Sequence, residues 1–439
     1  MISIKENSFY GLLGFVIPTL IMLVAYPVLV RSLGSAAFGI YILATSMSGV
    51  LAFLDFGFSA ATLKFVAEDL SKNDHKGAAD VIFTSLLFYG GLGSVVAFGI
   101  WVLSPWLVKI LSVSDLLRSD AILVFRIAAI QFAVSMLTSV FVSLFKGLQR
   151  FDQSSIMFSM LSVMTYGTSI IAVLLFDVGV VAVTTLSLMS NLMILFIASI
   201  TGARLSENVG INLRTAKVSF FVFKRMFGFG SAMAVNALSG VFLYQVQRYL
   251  ISALIGPAAV TIYHLATTIP VKAHTVISVA TEIMFPLTSA SSDIKRLRLI
   301  YLRMLFGSGV VAICILLPLA LFSKPIIAIW LGDELAGNVA PLIPIFCLSY
   351  FFLALSPAPY HFINGTGRPW LNAISYGFNA MLNIGFIAIF AINGITLDEF
   401  AWAFAIANIT NGLLYQCIVE VCIWKNHLLP VQRVLKVTK

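Results

Sequence analysis

Charged side chains are scarce in this sequence. Only 10% of its 439 residues are Asp, Glu, Lys or Arg, whereas 60% are hydrophobic and the mean hydropathy is +1.01. A soluble domain needs far more charge to cover its surface, so the composition excludes a soluble globular protein. Acidic residues are the scarcer kind, 18 against 27 basic ones. In a membrane protein this excess marks cytoplasmic loops, so it does not indicate nucleic-acid binding.

Cysteines and catalytic motifs are sparse as well. The sequence contains no phosphate-binding loop, no metal-ligand cluster and no outer connection large enough to hold an acid–base pair. We therefore expect a transporter rather than an enzyme, without a cofactor, although coupling to a gradient of H⁺ or Na⁺ stays open. The few cysteines all lie inside apolar runs, which predicts buried small side chains and no disulfide framework: Cys314, Cys347, Cys417 and Cys422.

Long apolar runs are what the sequence has in abundance. A bilayer core requires about 20 apolar residues per helix, and on this scale we predict an all-α integral membrane protein with twelve transmembrane helices. The first run is too long for the core of a signal peptide and lacks a small-residue cleavage site. The predicted spans cover residues 9–30, 40–62, 81–104, 121–145, 156–176, 179–203, 227–254, 261–285, 303–323, 338–362, 371–393 and 399–424.

Basic residues are distributed unevenly over the connections between these spans. If the N-terminus is cytoplasmic, 20 of the 27 Lys and Arg residues lie in inner segments, four in outer segments and three within spans. Cations concentrate on the cytoplasmic side of membrane proteins. The distribution therefore predicts that the N- and C-termini are both cytoplasmic.

The chain also contains an internal repeat. Residues 34–46 (GSAAFGIYILATS) and 256–268 (GPAAVTIYHLATT) are identical at eight of thirteen positions, at an offset of 222. We predict an N-terminal six-helix bundle over 1–213 and a C-terminal six-helix bundle over 214–439. An even number of spans returns the chain to its starting side, so the two repeats are parallel and surround a central cavity, as in transporters.

Cations inside the spans are the candidates for binding an anionic substrate. An ionisable side chain in the bilayer is costly, so it normally faces the interior of the bundle or water. Lys272 lies near the middle of span eight, and Arg248 lies in span seven beside two glutamines. Arg31 and Arg126 lie near outer ends of spans. For Lys272 the alternative is a structural ion pair, for instance with Asp55, and for Arg31 and Arg126 it is interfacial anchoring.

Two further features are polar. Asp55, in the inner half of span two, is a candidate for the coupling of H⁺ or Na⁺, with pairing to a cation of the cavity as the alternative. The spacing of four polar residues puts them on one face of span eleven. We favour a hydrogen-bonded seam between helices, while a polar stripe lining the cavity for a sugar stays open. These residues are Asn372, Tyr376, Asn379 and Asn383.

Several short motifs resemble bacterial polysaccharide exporters. The sequence is similar to O-antigen type flippases of the multidrug/oligosaccharidyl-lipid/polysaccharide exporter superfamily over essentially its whole length. The motifs that carry this resemblance are Leu33-Gly34 with Phe38–Tyr41, Leu54–Gly57 (LDFG), Phe145–Phe151 (FKGLQRF) and Pro325–Gly332 (PIIAIWLG).

The resemblance implies a flippase of the bacterial cytoplasmic membrane. Its substrate would be an undecaprenyl-pyrophosphate-linked oligosaccharide, an O-antigen or related repeat unit, moved from the inner to the outer leaflet by alternating access. Relatives have a cationic lumen lined by spans one, two, seven and eight, which here contain Arg31, Arg248 and Lys272. Arg126 lies on span four, which is not among those spans, so the resemblance supports a role in the lumen less directly for this residue. The implied partners are membrane lipid, the lipid-linked glycan, a polysaccharide polymerase and a chain-length regulator.

Two other functions stay open at this point. A multidrug or cation antiporter of the same superfamily would call for an acidic cavity, and such relatives commonly place an acid in the first or seventh span, whereas neither predicted span contains one here. A membrane-embedded polysaccharide polymerase or ligase would require a sizeable outer loop. The largest outer connection, residues 105–120, is short for that role.

Overall fold

The computed structural model describes residues 4–230, 245–282, 284, 287–288, 294–365, 369–392 and 394–424. Within them all regular secondary structure is helical. The chain divides into two compact units, the first formed by 1–241 with 252–258 and the second by 242–251 with 259–439. The domain boundary at 213/214 stays a prediction.

The first unit consists of long helices that are joined by short turns. Residues 220–230 continue it with a further helical segment. Its other helices are α1 (Ile4–Leu33), α2 (Ser35–Val50), α3 (Phe58–Ser71), α4 (His75–Ile110), α5 (Arg118–Gly147), α6 (Phe151–Phe176) and α7 (Val180–Asn208).

The second unit alternates long and short helices. The last residues of its first helix belong by their contacts to the first unit. Its helices are α8 (Val246–Leu254), α9 (Pro257–Thr281), α10 (Ile294–Leu321), α11 (Ser323–Leu331), α12 (Asp333–Val339), α13 (Ile343–Ala354), α14 (Pro357–Gly365), α15 (Pro369–Ala391) and α16 (Leu397–Trp424).

Ten stretches of the described residues are long and apolar enough to cross a membrane. Large apolar side chains remain exposed along them, for example Phe98 at 72% and Met381 at 70%. In water such surfaces would be unfavourable, whereas acyl chains solvate them. The chain is thus a multi-pass membrane protein. Twelve spans and the cytoplasmic termini stay predictions, because span seven (227–254) lies partly outside the described residues and span eight coincides with the more polar α9.

Span two differs from its prediction, because it is interrupted rather than continuous. Helix α2 ends at Val50, a 3₁₀ turn covers Leu51–Asp55, and α3 begins only at Phe58. Between them Phe56 and Gly57 have positive φ angles of 46° and 70°. Such a left-handed turn is costly for residues with a Cβ, so a glycine is favoured at position 57. The LDFG motif therefore marks a break in this span.

Close backbone packing surrounds the beginning and the middle of α3. A Cβ atom on Gly57 would lie 2.6 Å from the Cα atom of Gly230, and one on Gly147 would lie 3.1 Å from the carbonyl oxygen of Leu63. Only glycine permits such approaches without displacing backbone. Two of the motifs that carry the family resemblance, LDFG and FKGLQRF, thus have a packing role around α3.

An ionic cluster ties the last turns of α3 to the segment 220–230. The guanidinium group of Arg225 lies 3.0 Å from Asp69 and 3.2 Å from Glu68, and it stacks 4.0 Å from the ring centre of Phe65. Asp69 is buried. A hydrogen bond from Lys72 to Glu68 at 2.6 Å, assisted by the charge of Arg225, lowers the pKa of Glu68.

We expect Arg225→Gln to destabilise the protein by about 2 kcal/mol at pH 7, since it leaves the Asp69 carboxylate buried without its cation. The lowered pKa of Glu68 means that its ionic contribution is complete above its unfolded pKa of about 4.3 and is lost as pH falls through the lower folded value. The deficit in melting temperature should therefore shrink below about pH 4. Thermal unfolding of the purified variant across pH measures it, and a deficit that grows in acid would contradict this account.

Candidate functional site

Helix α9 is the most distinctive helix of the second unit. It has 25 residues, enough to extend about 37 Å, yet it is not among the ten apolar stretches. One lysine, two histidines and five threonines make it polar. A helix long enough to span but too polar to face lipid must direct its polar side away from acyl chains.

The polar residues of α9 form a stripe. Thr261, His264, Thr268 and Lys272 follow the spacing i, i+3, i+7, i+11, which places them within about 80° of the helix circumference. Lys272 and His264 are half-buried, whereas the two threonines are buried. We call these four residues the α9 polar stripe.

Arg248 belongs to the same electrostatic environment as this stripe. His264 lies within electrostatic reach of both Arg248 and Lys272. Arg248 is half-buried on α8, and its Nη1 atom donates to Oε1 of Gln245 at 3.1 Å. Its Nε atom is buried and finds no hydrogen-bond partner among the described residues. Two of the four predicted cations, Arg248 and Lys272, therefore both lie within electrostatic reach of His264 in the second unit.

A hydrogen-bonded network fixes α8 beside α9 and α15. The hydroxyl group of Tyr263 donates to Oε1 of Gln247, whose Nε2 atom donates to Oδ1 of Asn383 at 2.7 Å. All three side chains are buried. Gln247 adjoins Arg248 in sequence, so this network sets the position of the arginine.

The internal repeat contains a signal for this stripe that the motif-based prediction missed. At the offset of 222, the α9 polar stripe corresponds to Gly39, Ile42, Ser46 and Val50 of α2. Helices α2 and α9 each follow a glycine with a positive φ angle, Gly34 at 79° and Gly256 at 127°. At three of these four positions the second copy has a polar residue or the cation where the first has Gly39, Ile42 or Val50, and at the fourth both copies carry a hydroxyl group. His264 is part of this difference.

The two remaining predicted cations lie in the first unit. Arg31 is exposed in the last turn of α1. Arg126 on α5 donates from Nε to the hydroxyl group of Ser104 at 3.2 Å and lies 5.0 Å from the ring centre of Trp101. These contacts hold Arg126 against α4. Binding of substrate by Arg31 or Arg126 stays a prediction.

Asp55 lies at the break in span two. Its Oδ1 atom accepts hydrogen bonds from the Ser59 hydroxyl at 2.9 Å, from the Ser59 backbone N–H at 3.3 Å and from the hydroxyl of Tyr89. The carboxylate thus stabilises the positive end of α3. Lys272 belongs to the other unit, and both a pairing between it and Asp55 and a role of Asp55 in ion coupling stay predictions.

Span eleven corresponds to helix α15, and its polar face packs against α16. Nδ2 of Asn379 donates to Oδ1 of Asn408 at 2.9 Å, and the hydroxyl of Tyr415 donates to Oδ1 of Asn372 at 3.1 Å. Asn372, Asn379 and Asn383 are buried. This geometry favours the seam between helices over a stripe that contacts sugar. Tyr376 completes the face through its ring contacts with Tyr360 and Tyr415.

The arrangement defines a class of protein. The fold is that of a transporter of the multidrug/oligosaccharidyl-lipid/polysaccharide superfamily. An inward-facing multidrug resistance MATE family transporter matches it with a TM-score of 0.75 at 16% identity, covering 95% of this chain and 99% of that one. The lipid II flippase MurJ in an inward closed conformation matches with a TM-score of 0.70 at 13% identity, covering 95% and 87%.

Sequence comparison then assigns the family. Residues 28–340 match the family model described as "Polysaccharide biosynthesis protein", and the chain belongs to that family. A protein of Shigella flexneri named "Putative O-antigen transporter" is 25% identical over 373 residues, which cover 85% of this chain and 87% of that protein. These findings confirm the resemblance to O-antigen type flippases, the assignment to a transporter rather than an enzyme, and the multi-pass location in the bacterial inner membrane.

Proposed function

We propose that this protein moves undecaprenyl-pyrophosphate-linked oligosaccharide, an O-antigen or related repeat unit, from the inner to the outer leaflet of the cytoplasmic membrane. Two parallel six-helix halves, 1–213 and 214–439, would alternate access around a central cavity. The observation that carries this proposal is the polar stripe of α9, in which His264 lies within electrostatic reach of both Lys272 and Arg248.

The chemistry of the substrate explains why this stripe is needed. A pyrophosphate that leaves water loses hydration that only charge and hydrogen-bond donors can replace. Lysine and arginine supply charge-assisted hydrogen bonds to phosphate oxygens, each contributing about 1.5–3 kcal/mol. The sugars would cross within the polar interior, while the polyprenyl tail, which needs no hydration, stays in lipid.

The cycle requires a reset step and neighbouring proteins. Coupling of the empty transporter to H⁺ or Na⁺ is part of the proposal, with Asp55 as the ion-coupling residue. Its position at a helix break supports this role, because interrupted helices at membrane depth provide polar groups for ions in other transporters. We further propose that the released glycan passes to a polysaccharide polymerase with its chain-length regulator.

Deletion of the gene in its own host tests the function. We expect surface polysaccharide to disappear and lipid-linked precursor to accumulate on the cytoplasmic side, with both defects reversed by the wild-type chain. Normal surface polysaccharide with increased sensitivity to cationic drugs would instead establish a multidrug exporter. Precursor that reaches the outer leaflet but stays unpolymerised would establish a polymerase.

The multidrug antiporter is the second candidate, because a multidrug transporter matches the fold with the TM-score of 0.75. At 16% identity that likeness concerns the fold alone. The charge of the second unit separates the two functions, since Arg248 and Lys272 repel a cationic drug and attract a phosphate. Uptake of an organic cation by proteoliposomes that contain the purified protein distinguishes them directly.

A further inference from the structure

A basic groove lies on the first unit, whereas the α9 polar stripe belongs to the second unit. It is formed by the beginning of α4 and the connection that follows α7, and its volume is 620 Å³. Three of the side chains along it are basic and a fourth is a histidine. The groove is lined by His75, Lys76, Gly210, Asn212, Arg214, Thr215, Ala216 and Lys217.

The described residues do not neutralise these cations. Among the residues that the structure describes, Lys76, Arg214 and Lys217 form no ion pair with a carboxylate. The nearby carboxylate of Asp80 accepts the backbone N–H of Lys217 at 2.7 Å. The Nδ1 atom of His75 is buried and has no hydrogen-bond partner within the described part of the chain. The groove thus presents positive charge that an anion can compensate.

Its shape is built into the connection after α7. Gly210, with φ at 82°, reverses the chain, and Ile211 is completely buried in the hydrophobic core of the first unit. The side chain of Asn212 accepts the backbone N–H of Arg214 at 3.0 Å and so begins the 3₁₀ turn Leu213–Thr215. These contacts give the connection a defined conformation, which holds Arg214 beside the groove.

Exposed apolar side chains adjoin the groove. Val218, Phe220 and Phe221 follow Lys217 directly and are 55%, 79% and 76% exposed. Aromatic residues next to basic ones are typical of chain segments at the level of lipid headgroups, where the rings enter the acyl boundary and the cations meet phosphates. The predicted orientation puts this connection on the cytoplasmic side.

We propose that the basic groove binds the phosphate group of an anionic glycerophospholipid from the cytoplasmic leaflet. Phe220 and Phe221 dip into the acyl boundary beside it and place the groove at headgroup depth. The phosphate receives charge from Lys76, Arg214 and Lys217. Each basic residue at a membrane surface strengthens binding to anionic lipid by about 5-fold. The site differs from the α9 polar stripe and does not depend on which substrate is transported.

The test uses the full-length protein in lipid nanodiscs and measures the retention of phosphatidylglycerol against phosphatidylcholine by native mass spectrometry. The triple variant Lys76→Gln, Arg214→Gln, Lys217→Gln removes the three charges. The matched control, Lys109→Gln, Arg118→Gln, Lys324→Gln, removes the same charge from predicted outer segments. We expect the first variant to lose at least about 20-fold in preference for phosphatidylglycerol, while the control keeps it.

Further arms identify the source of the phosphate. Inorganic phosphate at millimolar concentration should not displace phosphatidylglycerol, and Phe220→Ser with Phe221→Ser should weaken retention although the charge is unchanged. Equal preference in the two triple variants would overturn the proposal. So would displacement by inorganic phosphate, which indicates a soluble ligand, or displacement by the lipid-linked glycan alone, which assigns the groove to the transport path. Melting temperatures of all variants exclude loss by misfolding.

Discussion

Lys272→Gln and Arg248→Gln should each reduce export of surface polysaccharide by about 10- to 100-fold, the loss expected from removing one charge-assisted hydrogen bond to a phosphate. Both residues share the electrostatic environment of His264 in the second unit. Neither change alters the volume of the side chain greatly, so the loss should appear in transport at normal protein level. Quantified surface polysaccharide, normalised to membrane-inserted protein, measures the effect.

Two controls make this result specific. Lys272→Arg keeps the positive charge and should preserve most export. Lys109→Gln removes an exposed cation from the end of α4 and should leave export unchanged. Export at the wild-type rate from both Lys272→Gln and Arg248→Gln would refute the assignment of these cations to substrate binding. Loss in the Lys109→Gln control as well would indicate a general effect of charge on insertion.

Gly57→Ala and Gly230→Ala should each prevent accumulation of stable protein. The Cβ atom added at position 57 meets backbone of Gly230 at 2.6 Å, and the one added at position 230 meets the carbonyl carbon of Gly57 at 3.0 Å. Backbone cannot move aside as a flexible side chain can, so we expect a cost of about 4 kcal/mol for Gly57→Ala, from overpacking together with the strain of its positive φ angle. Size-exclusion profiles and thermal unfolding of the purified variants check this.

Two other glycines separate the contributions. Gly34 has a positive φ of 79° but no atom within 4 Å of an added Cβ, so Gly34→Ala should cost only the backbone strain of about 1–2 kcal/mol. Gly228 lies on the same helical segment as Gly230 and also has open space, so Gly228→Ala should be tolerated. If Gly57→Ala behaved like Gly34→Ala, the close approach to Gly230 would not be important for stability.

The helical membrane class and the family could be predicted from the sequence because both depend on local signals. Apolar runs of bilayer length and short motifs are visible without knowledge of the fold. The interruption of span two was not predicted, since its apolar run continues through the break. The positive φ at Phe56 and the contact between Gly57 and Gly230 depend on a segment more than 170 residues away. Hydropathy contains no information on such a contact.

The candidate site could be predicted only in part. Lys272 and Arg248 are conspicuous as charges in apolar runs, but their shared environment with His264 depends on how α8 packs beside α9. The polar face of span eleven was visible by its spacing, while its partner Asn408 lies on another helix and could not be inferred from periodicity. A comparison of the two repeats at each position would have identified the polar stripe of α9, because the polar differences fall on one helix face.

Transfer of lipid-linked glycan across liposomes is the most direct measurement of the central claim, that cations of the second unit bind the diphosphate during its passage. The purified protein is reconstituted with an undecaprenyl-pyrophosphate-linked oligosaccharide, and the glycan that appears in the opposite leaflet is followed with an impermeant lectin. The account predicts transfer by the wild-type protein and a rate at least about 100-fold lower for the double variant Arg248→Gln, Lys272→Gln. Equal rates for the two proteins would contradict it.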